Sequence, residues 1–200
     1  MADSLPRGRF IVVEGIDGAG TTTQVELVAR RLRAASVVVH TTREPSDGGI
    51  GRFIRQQLLT REVDERAMAA LFAADRLDHV TREIRPALAR GELVLCDRYL
   101  WSSLTYQGEM TGDEAWVRAL NAHALAPHLV VLVDVEADEA ARRRISRSTA
   151  VERYEVNELQ ARLVERYRRL LGSEANAWRV DGRLAPEVLA EQIASRVLTL

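Results

Sequence analysis

Lysine is absent from this 200-residue sequence, so all 28 of its basic residues are arginine. Its 29 acidic residues bring the formal net charge at pH 7 to -1. A chain without a positive net charge has no general attraction for nucleic acid or for an anionic membrane. We therefore expect neither as a partner, and any anion-binding site must be built locally from arginines and backbone N–H groups.

Cysteine is almost absent as well, because Cys96 is the only one, and it excludes an intramolecular disulfide. The sequence has no apolar run of about 18 residues, the length that spans a membrane. Its first residues, MADSLPRG, lack the apolar segment of a signal peptide. These absences predict a cytoplasmic protein, and the length favours a single domain spanning residues 1–200.

Short runs rich in β-branched residues alternate with longer stretches of helical periodicity. The runs predict strands at Phe10–Glu14, Val37–Thr42, Leu93–Asp97, Leu129–Asp134 and Trp178–Val180. Such alternation predicts an α/β fold, in which a parallel sheet is covered by helices on both faces. Ligands of these sheets bind beyond the carboxyl ends of the strands, so the residues that follow each strand are the first candidates for a functional site.

A glycine-rich loop follows the first predicted strand and reads Gly15-Ile16-Asp17-Gly18-Ala19-Gly20-Thr21-Thr22. A strand, a loop of this kind and a helix together are typical of a phosphate-binding loop, or P-loop, although a purely structural glycine turn is the alternative. Thr22 stands where the loop hydroxyl meets Mg²⁺. Thr21 occupies the position of the usual lysine, so the loop lacks the positive charge that normally reaches the β- and γ-phosphates.

Charged residues also follow the second and third predicted strands. Arg43, in the motif TREP, can bind a phosphate with its forked guanidinium. In the motif CDRY, Asp97 is placed like a carboxylate that organises magnesium, and Arg98 offers a second guanidinium. Phe72 and Arg76 lie four residues apart and share one face of a predicted helix. Each has a plainer interpretation when taken alone, as a surface arginine, an ion pair or a core side chain.

In their order and spacing, the segments VEGIDGAGTTTQ, TREP, LFAADR, CDRYLWSSLTYQG and ERYE resemble the bacterial thymidylate kinase family over about residues 9 to 170. The most specific parts are FAADR and DRY-x2-SS-x2-YQG, which P-loop proteins in general do not share. The resemblance implies a P-loop NTPase fold with a five-stranded parallel sheet. It also implies ATP as phosphoryl donor with Mg²⁺, dTMP as acceptor, and a homodimer.

The resemblance implies roles for the residues that would hold the phosphate and sugar of dTMP. Arg43 and Arg98 match the arginines that bind the acceptor phosphate, and Asp17 matches the loop acid at the 3′-hydroxyl. Arg98 and Asp17 are therefore also candidate catalytic residues. Tyr106 matches the ring that crowds the 2′ position against ribose.

The base site is implied in the same way. Phe72 matches the ring that stacks on thymine, while Arg76 and Gln107 match the groups that read its polar edge. Ser103 lies near that edge. Asp97 resembles the carboxylate that organises magnesium together with the loop hydroxyl.

An arginine-rich stretch at about residues 142–155 follows the fourth predicted strand and resembles the lid that closes over ATP. Some members of the family supply a catalytic arginine from this lid when the P-loop carries none. Arg147 is the first candidate, because no carboxylate lies four residues before it, and Arg153 is the second.

A solvated helix face is the alternative for the start of this stretch. Spacing of four residues pairs Asp138 with Arg142 and Glu139 with Arg143. Arginines neutralised in this way would stabilise the helix and would not be available for catalysis.

The sequence thus predicts a thymidylate kinase that transfers the γ-phosphoryl group of Mg-ATP to dTMP. Two alternatives remain open. One is a non-catalytic nucleotide-binding protein that lost turnover with the P-loop lysine. The other is a deoxynucleoside kinase, which would need a carboxylate near the 5′-hydroxyl in place of paired phosphate-binding arginines.

Overall fold

The computed structural model describes residues 8–60, 62–145 and 155–200. The strands are β1 Phe10–Glu14, β2 Val39–Arg43, β3 Leu93–Asp97, β4 Leu129–Asp134 and β5 Ala177–Asp181. The α-helices are α1 Thr21–Ala34, α2 Gly49–Thr60, α3 Glu65–His79, α4 Arg85–Ala89, α5 Leu100–Thr111, α6 Glu114–Leu120, α7 Ala137–Ile145, α8 Glu155–Gly172 and α9 Pro186–Leu198. A π-helical segment, Val80–Ile84, joins α3 to α4.

The five strands form one parallel sheet in the order β2-β3-β1-β4-β5. Every residue of β1 and β3 is buried. Successive side chains of a strand point to opposite faces, so complete burial requires helices on both sides of the sheet. The predicted α/β fold is confirmed.

The predicted bounds of β1, β3 and β4 are confirmed, whereas β2 begins two residues later than predicted. Helix α1 ends in a turn in which Ser36 has a φ of 64°. The N–H groups of Ser36 and Val37 donate to the carbonyls of Arg33 and Leu32. These hydrogen bonds satisfy the last carbonyls of the helix. The residues predicted to begin the strand belong to this turn, so the strand begins after it.

The sheet register brings the predicted functional residues to one edge. Arg43 at the end of β2 lies beside Asp97 at the end of β3. Asp97 in turn lies beside Val13 of β1, two residues before the glycine-rich loop. Parallel strands thus place two of the predicted phosphate-binding elements and the predicted metal-organising carboxylate at the same carboxyl edge. Among the described residues, no helix is long and apolar enough to cross a membrane.

Candidate active site

The glycine-rich loop turns sharply between β1 and α1. Gly18 and Gly20 have φ values of 90° and 97°, a region in which side chains with a Cβ are strained. The N–H of Ala19 closes the turn on the carbonyl of Ile16 at 3.0 Å. The N–H groups of Gly18 and Gly20 have no acceptor among the described residues, so the loop can offer them to an anion.

Thr21, at the lysine position, is buried beneath this loop. Its side chain is only 5% exposed, and a Cβ added to Gly15 would lie 3.1 Å from its Cγ2. Thr21 therefore serves as packing under the loop and contributes no cation to it.

Thr22 and Asp97 meet across the loop in an arrangement that fits a magnesium ion. The Thr22 hydroxyl donates to Asp97 Oδ2 at 2.5 Å. The other carboxylate oxygen, Oδ1, is buried and has no partner among the described residues. Mg²⁺ prefers oxygen ligands and usually takes only one or two from the protein, with the rest from water and phosphates. The described ranges hold no group of three or more His, Cys, Asp or Glu side chains that could bind a metal ion.

Arg98 reaches from the end of β3 to the P-loop. Its Nη2 lies 2.7 Å from Asp17 Oδ1, and its guanidinium stacks 5.5 Å from the centre of the Tyr106 ring. The Tyr106 hydroxyl accepts the N–H of Asp17 at 3.0 Å. Burial lowers the pKa of Arg98, because it disfavours the charged guanidinium. Electrostatic interactions with Tyr106 and Asp17 have the larger, opposite effect, and the pKa of Arg98 lies above its ordinary value. Burial also raises the pKa of Tyr106 to about 12, so this hydroxyl stays neutral at physiological pH.

Glu14, the last residue of β1, supports this arrangement and was not predicted from the sequence. Its Oε1 accepts the N–H groups of Tyr99 at 2.9 Å and Ser102 at 3.2 Å, at the start of α5. Its Oε2 accepts the hydroxyls of Ser102 at 2.7 Å and Tyr167 at 3.1 Å. The carboxylate caps α5 from a neighbouring strand by accepting the N–H of Tyr99, the residue before the helix. Arg98, two residues before the helix, has a φ of 66°. The sequence feature that could have identified Glu14 is its position, as a charged residue at the end of an otherwise apolar strand.

A cavity of about 300 Å³ lies next to the P-loop. All eight predicted acceptor-site residues line it: Asp17, Arg43, Phe72, Arg76, Arg98, Ser103, Tyr106 and Gln107. Asp97 lines it too, so the predicted metal-organising carboxylate faces the same space. The lining combines one phenylalanine, two tyrosines and three arginines, a combination suited to a planar base that carries a phosphate.

Arg76 is the most deeply buried of these arginines, with 1% of its side chain exposed. Its Nη2 donates to the Tyr99 carbonyl at 2.9 Å and lies 2.7 Å from Glu44 Oε2. It also donates to Ser103 Oγ at 3.1 Å and, through Nη1, to Asn121 Oδ1. Its Nε remains without an acceptor among the described residues. A buried donor without a partner is costly, and Arg76 is one of the residues that line the cavity.

Arg43 differs from Arg76 because its side chain is 57% exposed. It pairs with Asp47 at 2.9 Å, and its hydrogen bond lowers the pKa of that carboxyl group. The following loop is held by Ser46, whose N–H and hydroxyl both donate to buried Asp75 at 2.7 and 2.6 Å. The loop that presents Arg43 is therefore anchored to α3.

The lid candidates Arg147 and Arg153 lie outside the described residues. The predicted ion pairs before them are only partly correct. Glu139 pairs with Arg143 as predicted, but it also pairs with Arg142, three residues away, in place of Asp138. On a helix, side chains three residues apart are neighbours, as are side chains four residues apart. Glu139 can therefore reach both Arg142 and Arg143.

Other residues of the site were missed by the sequence analysis. Glu44 and Asn121 support Arg76 from positions distant in sequence, which no spacing rule connects. Ser102 accepts from Arg98, four residues before it. Glu44 and Ser102 stand inside the motifs TREP and DRY-x2-SS, so membership of a motif was their only signal.

Comparison with known proteins agrees with this geometry. A sequence model of the family described as "Thymidylate kinase" matches residues 13–193. The chain is 43% identical over 172 residues to "Probable thymidylate kinase" of Thermococcus gammatolerans, covering 82% of this chain and 83% of that protein. It is 41% identical over 196 residues to "Thymidylate kinase" of Thermomicrobium roseum, covering 94% and 93%. It is 37% identical over 197 residues to "Probable thymidylate kinase" of Pyrococcus abyssi, covering 96% of each.

The resemblance noted from the sequence is thus confirmed for the family, while its bacterial qualifier gains no support, since several of the most similar relatives are archaeal. The family model spans the P-loop, the acceptor cavity and the helices that surround them. The chain therefore belongs to the thymidylate kinase family.

Proposed function

We propose that this protein is a thymidylate kinase that transfers the γ-phosphoryl group of Mg-ATP to the 5′-phosphate of dTMP, giving dTDP and ADP. The observation that carries the proposal is the cavity beside the P-loop, where an aromatic ring, a buried arginine donor and two further arginines face one space. A base, an edge reader and phosphate-binding groups are what a nucleoside monophosphate requires.

The acceptor site follows from these positions. Phe72 stacks on the thymine ring, and the free Nε of Arg76 together with Gln107 reads its polar edge. Arg43 and Arg98 bind the phosphate, which becomes the nucleophile once the two nucleotides are aligned. Ser103 supports Arg76 through its hydroxyl.

The sugar contacts come from the other end of the cavity. Asp17 binds the 3′-hydroxyl, and Tyr106 occupies the space that a 2′-hydroxyl would need. The Tyr106 hydroxyl also accepts the N–H of Asp17, so one hydrogen bond joins the two residues that select the sugar.

The donor site is the P-loop from Gly15 to Thr22, which offers the N–H groups of Gly18 and Gly20 to the phosphates of ATP. Thr22 and Asp97 hold Mg²⁺, which neutralises charge on the phosphates of ATP when bound. The acceptor phosphate is already an anion, so alignment and charge neutralisation carry the reaction and no general base is needed.

A deoxynucleoside kinase is disfavoured because Arg43 and Arg98 both line the cavity, and an acceptor without a phosphate would leave this pair of guanidinium groups without a ligand. Of the carboxylates that line the cavity, Asp17 pairs with Arg98 and Glu44 pairs with Arg76. Asp97 accepts from Thr22 through Oδ2, and its Oδ1 has no partner among the described residues. A binding protein without turnover remains the alternative that Thr21 suggests.

A coupled assay with ATP, Mg²⁺ and dTMP tests the proposal directly. We expect ADP and dTDP to form in equal amounts. Binding of both nucleotides without formation of dTDP would support the non-catalytic alternative, and phosphorylation of thymidine in preference to dTMP would support the deoxynucleoside kinase.

We propose a homodimer that associates through α2 and α3. These helices carry exposed apolar side chains at Phe53, Leu59 and Leu77, with Leu59 87% exposed. Burial of these side chains between two copies of the chain would remove their apolar surface from water. Sedimentation should give twice the mass of the chain, and Leu59→Glu should shift it toward the monomer.

We further propose that residues 1–200 act as one kinase domain with a lid at about 142–155. The cytoplasm is the proposed compartment, because Cys96 is a free, buried thiol and a reducing environment suits it. Neither nucleic acid nor membrane is proposed as a partner.

A further inference from the structure

We propose that Arg144 is a positioning residue of the P-loop, which supplies from outside the loop a positive charge that Thr21 does not provide. The proposal rests on the proposed function in one respect, namely that this loop binds the phosphates of ATP. Its basis is a contact between α7 and the loop that the sequence did not predict.

Arg144 binds the loop through its backbone. Its Nη1 donates to the carbonyl oxygen of Asp17. A Cβ added to Gly18 would lie 3.0 Å from Arg144 Cγ and 2.4 Å from the carbonyl oxygen of Ala140. Only glycine allows this close approach, so the loop lies directly against α7 and the stem of Arg144.

The direction of the peptide group decides what this contact does. The carbonyl of Asp17 and the N–H of Gly18 belong to one planar trans peptide and point in opposite directions. With Arg144 on the carbonyl, the N–H of Gly18 points away from α7, and it has no acceptor among the described residues. A cation bound to the carbonyl polarises the peptide and makes its N–H a stronger donor to phosphate.

The charge of Arg144 is not cancelled by a carboxylate of the described residues. Its neighbours Arg142 and Arg143 both pair with Glu139, whereas no ion pair joins Arg144 to a described acidic side chain. Arg143 also contacts the loop, through the carbonyl of Ala19 at 3.2 Å, but its charge is opposed by Glu139. Arg144 is therefore the arginine on α7 best placed to add positive potential at the loop.

Calorimetric titration with Mg-ATP and, separately, with dTMP tests this role without requiring turnover. Arg144→Gln keeps a donor for the Asp17 carbonyl but removes the charge, whereas Arg144→Lys keeps the charge. We expect Arg144→Gln to raise the Kd for Mg-ATP at least about tenfold and Arg144→Lys to stay within about threefold of the parent. The Kd for dTMP should change less than about twofold in both variants.

Arg82→Ala is the control, since it removes an arginine outside the proposed lid whose side chain is 78% exposed and paired with Asp78. It should leave the Kd for Mg-ATP unchanged. In the Thr21→Lys background the effect of Arg144→Gln should shrink, because a lysine would duplicate the charge.

The proposal is overturned if Arg144→Gln binds Mg-ATP as tightly as the parent, or if Arg144→Lys binds as weakly as Arg144→Gln. Equal weakening of dTMP and Mg-ATP binding would indicate a general loss of structure and would overturn it as well. If the parent binds Mg-ATP but forms no dTDP, the proposed function fails while the comparison of Kd values still decides the role of Arg144.

Discussion

Arg98 and Asp17 form an ion pair across the candidate site, with Nη2 and Oδ1 2.7 Å apart. The pair joins the end of β3 to the P-loop, and both residues are proposed to contact dTMP. The acceptor phosphate and the Asp17 carboxylate therefore compete for one guanidinium. Binding of dTMP would replace a carboxylate by a phosphate at Arg98 and release Asp17 toward the sugar.

Arg98→Lys should lower kcat/KM for dTMP about 10- to 100-fold, although the charge is retained. A lysine is a point charge and cannot bind phosphate through two parallel N–H groups as arginine does. Steady-state kinetics with varied dTMP measure the loss. Arg90→Lys makes the same change at an exposed ion pair with Glu92 and should have no effect, and equal kinetics for both variants would contradict the phosphate role.

Replacing dTMP by dUMP should lower kcat/KM about 10- to 200-fold, the usual contribution of one apolar group in a pocket. The reason is the proposed contact of the thymine methyl group with the pocket around Phe72. dCMP should be poorer still, because Arg76 would face an amino group where it needs an acceptor. Equal values of kcat/KM for dTMP and dCMP would rule out the base assignment.

Asp97→Asn should raise the Mg²⁺ concentration needed for half-maximal activity at least about tenfold. The amide keeps the size of the side chain and an oxygen for the Thr22 hydroxyl, but it removes the negative charge that favours the cation. Titration of activity with Mg²⁺ at fixed ATP measures the shift. Asp78→Asn, at an ion pair with Arg82, is the control, and the same Mg²⁺ requirement in both variants would exclude Asp97 as a metal-organising group.

Arg147→Ala should cut kcat at least about a hundredfold while changing the KM for dTMP little, as expected of an interaction made mainly in the transition state. Arg153→Ala should do the same if that residue is the catalytic one. Rapid-quench or steady-state measurements of kcat decide between them, with Arg82→Ala, at an exposed ion pair with Asp78, as control. Should both lid variants keep kcat within about twofold of the parent, the lid does not replace the missing lysine.

Glu14→Gln should change how stability depends on pH. Burial is the main cause that raises the pKa of Glu14 above its ordinary value of 4.5. A raised pKa means that the folded protein holds this proton more tightly than the unfolded chain does. The protonated Glu14 therefore adds to the free energy of unfolding below about pH 4.5, and this stabilisation is lost as pH rises through the folded-state pKa. The glutamine mimics the protonated acid, because its oxygen can accept from Tyr99 and its amide can donate to the Tyr167 hydroxyl.

The measurement is the free energy of unfolding of parent and variant across this pH range. Their difference, parent minus variant, should fall as pH rises from about 4.5 toward neutrality. A difference that stays constant or rises would show that Glu14 does not carry a raised pKa. Glu14→Ala is the second variant and should be strongly destabilising at every pH, since it leaves the N–H groups at the start of α5 without their acceptor.

The fold was largely predictable because it depends on local patterns. Continuous apolar runs, each ending in one carboxylate, identified β1, β3 and β4 with correct bounds, since burial on both faces favours apolar residues. The edge strand β2 was displaced, because the turn after α1 at Ser36 depends on how a helix ends and not on the apolar run Val37–Val39.

The sequence by itself determined the strands, the glycine-rich loop, the missing lysine and the residue types that line one cavity. Only the tertiary structure decided which side chains meet. Glu14 caps a helix that begins 86 residues further along the chain, and Arg144 binds a loop carbonyl 127 residues before it. Periodicity reports which face of an element is buried. Contacts between elements depend on how those elements pack, and the spacing of residues in the sequence does not encode which elements pack together.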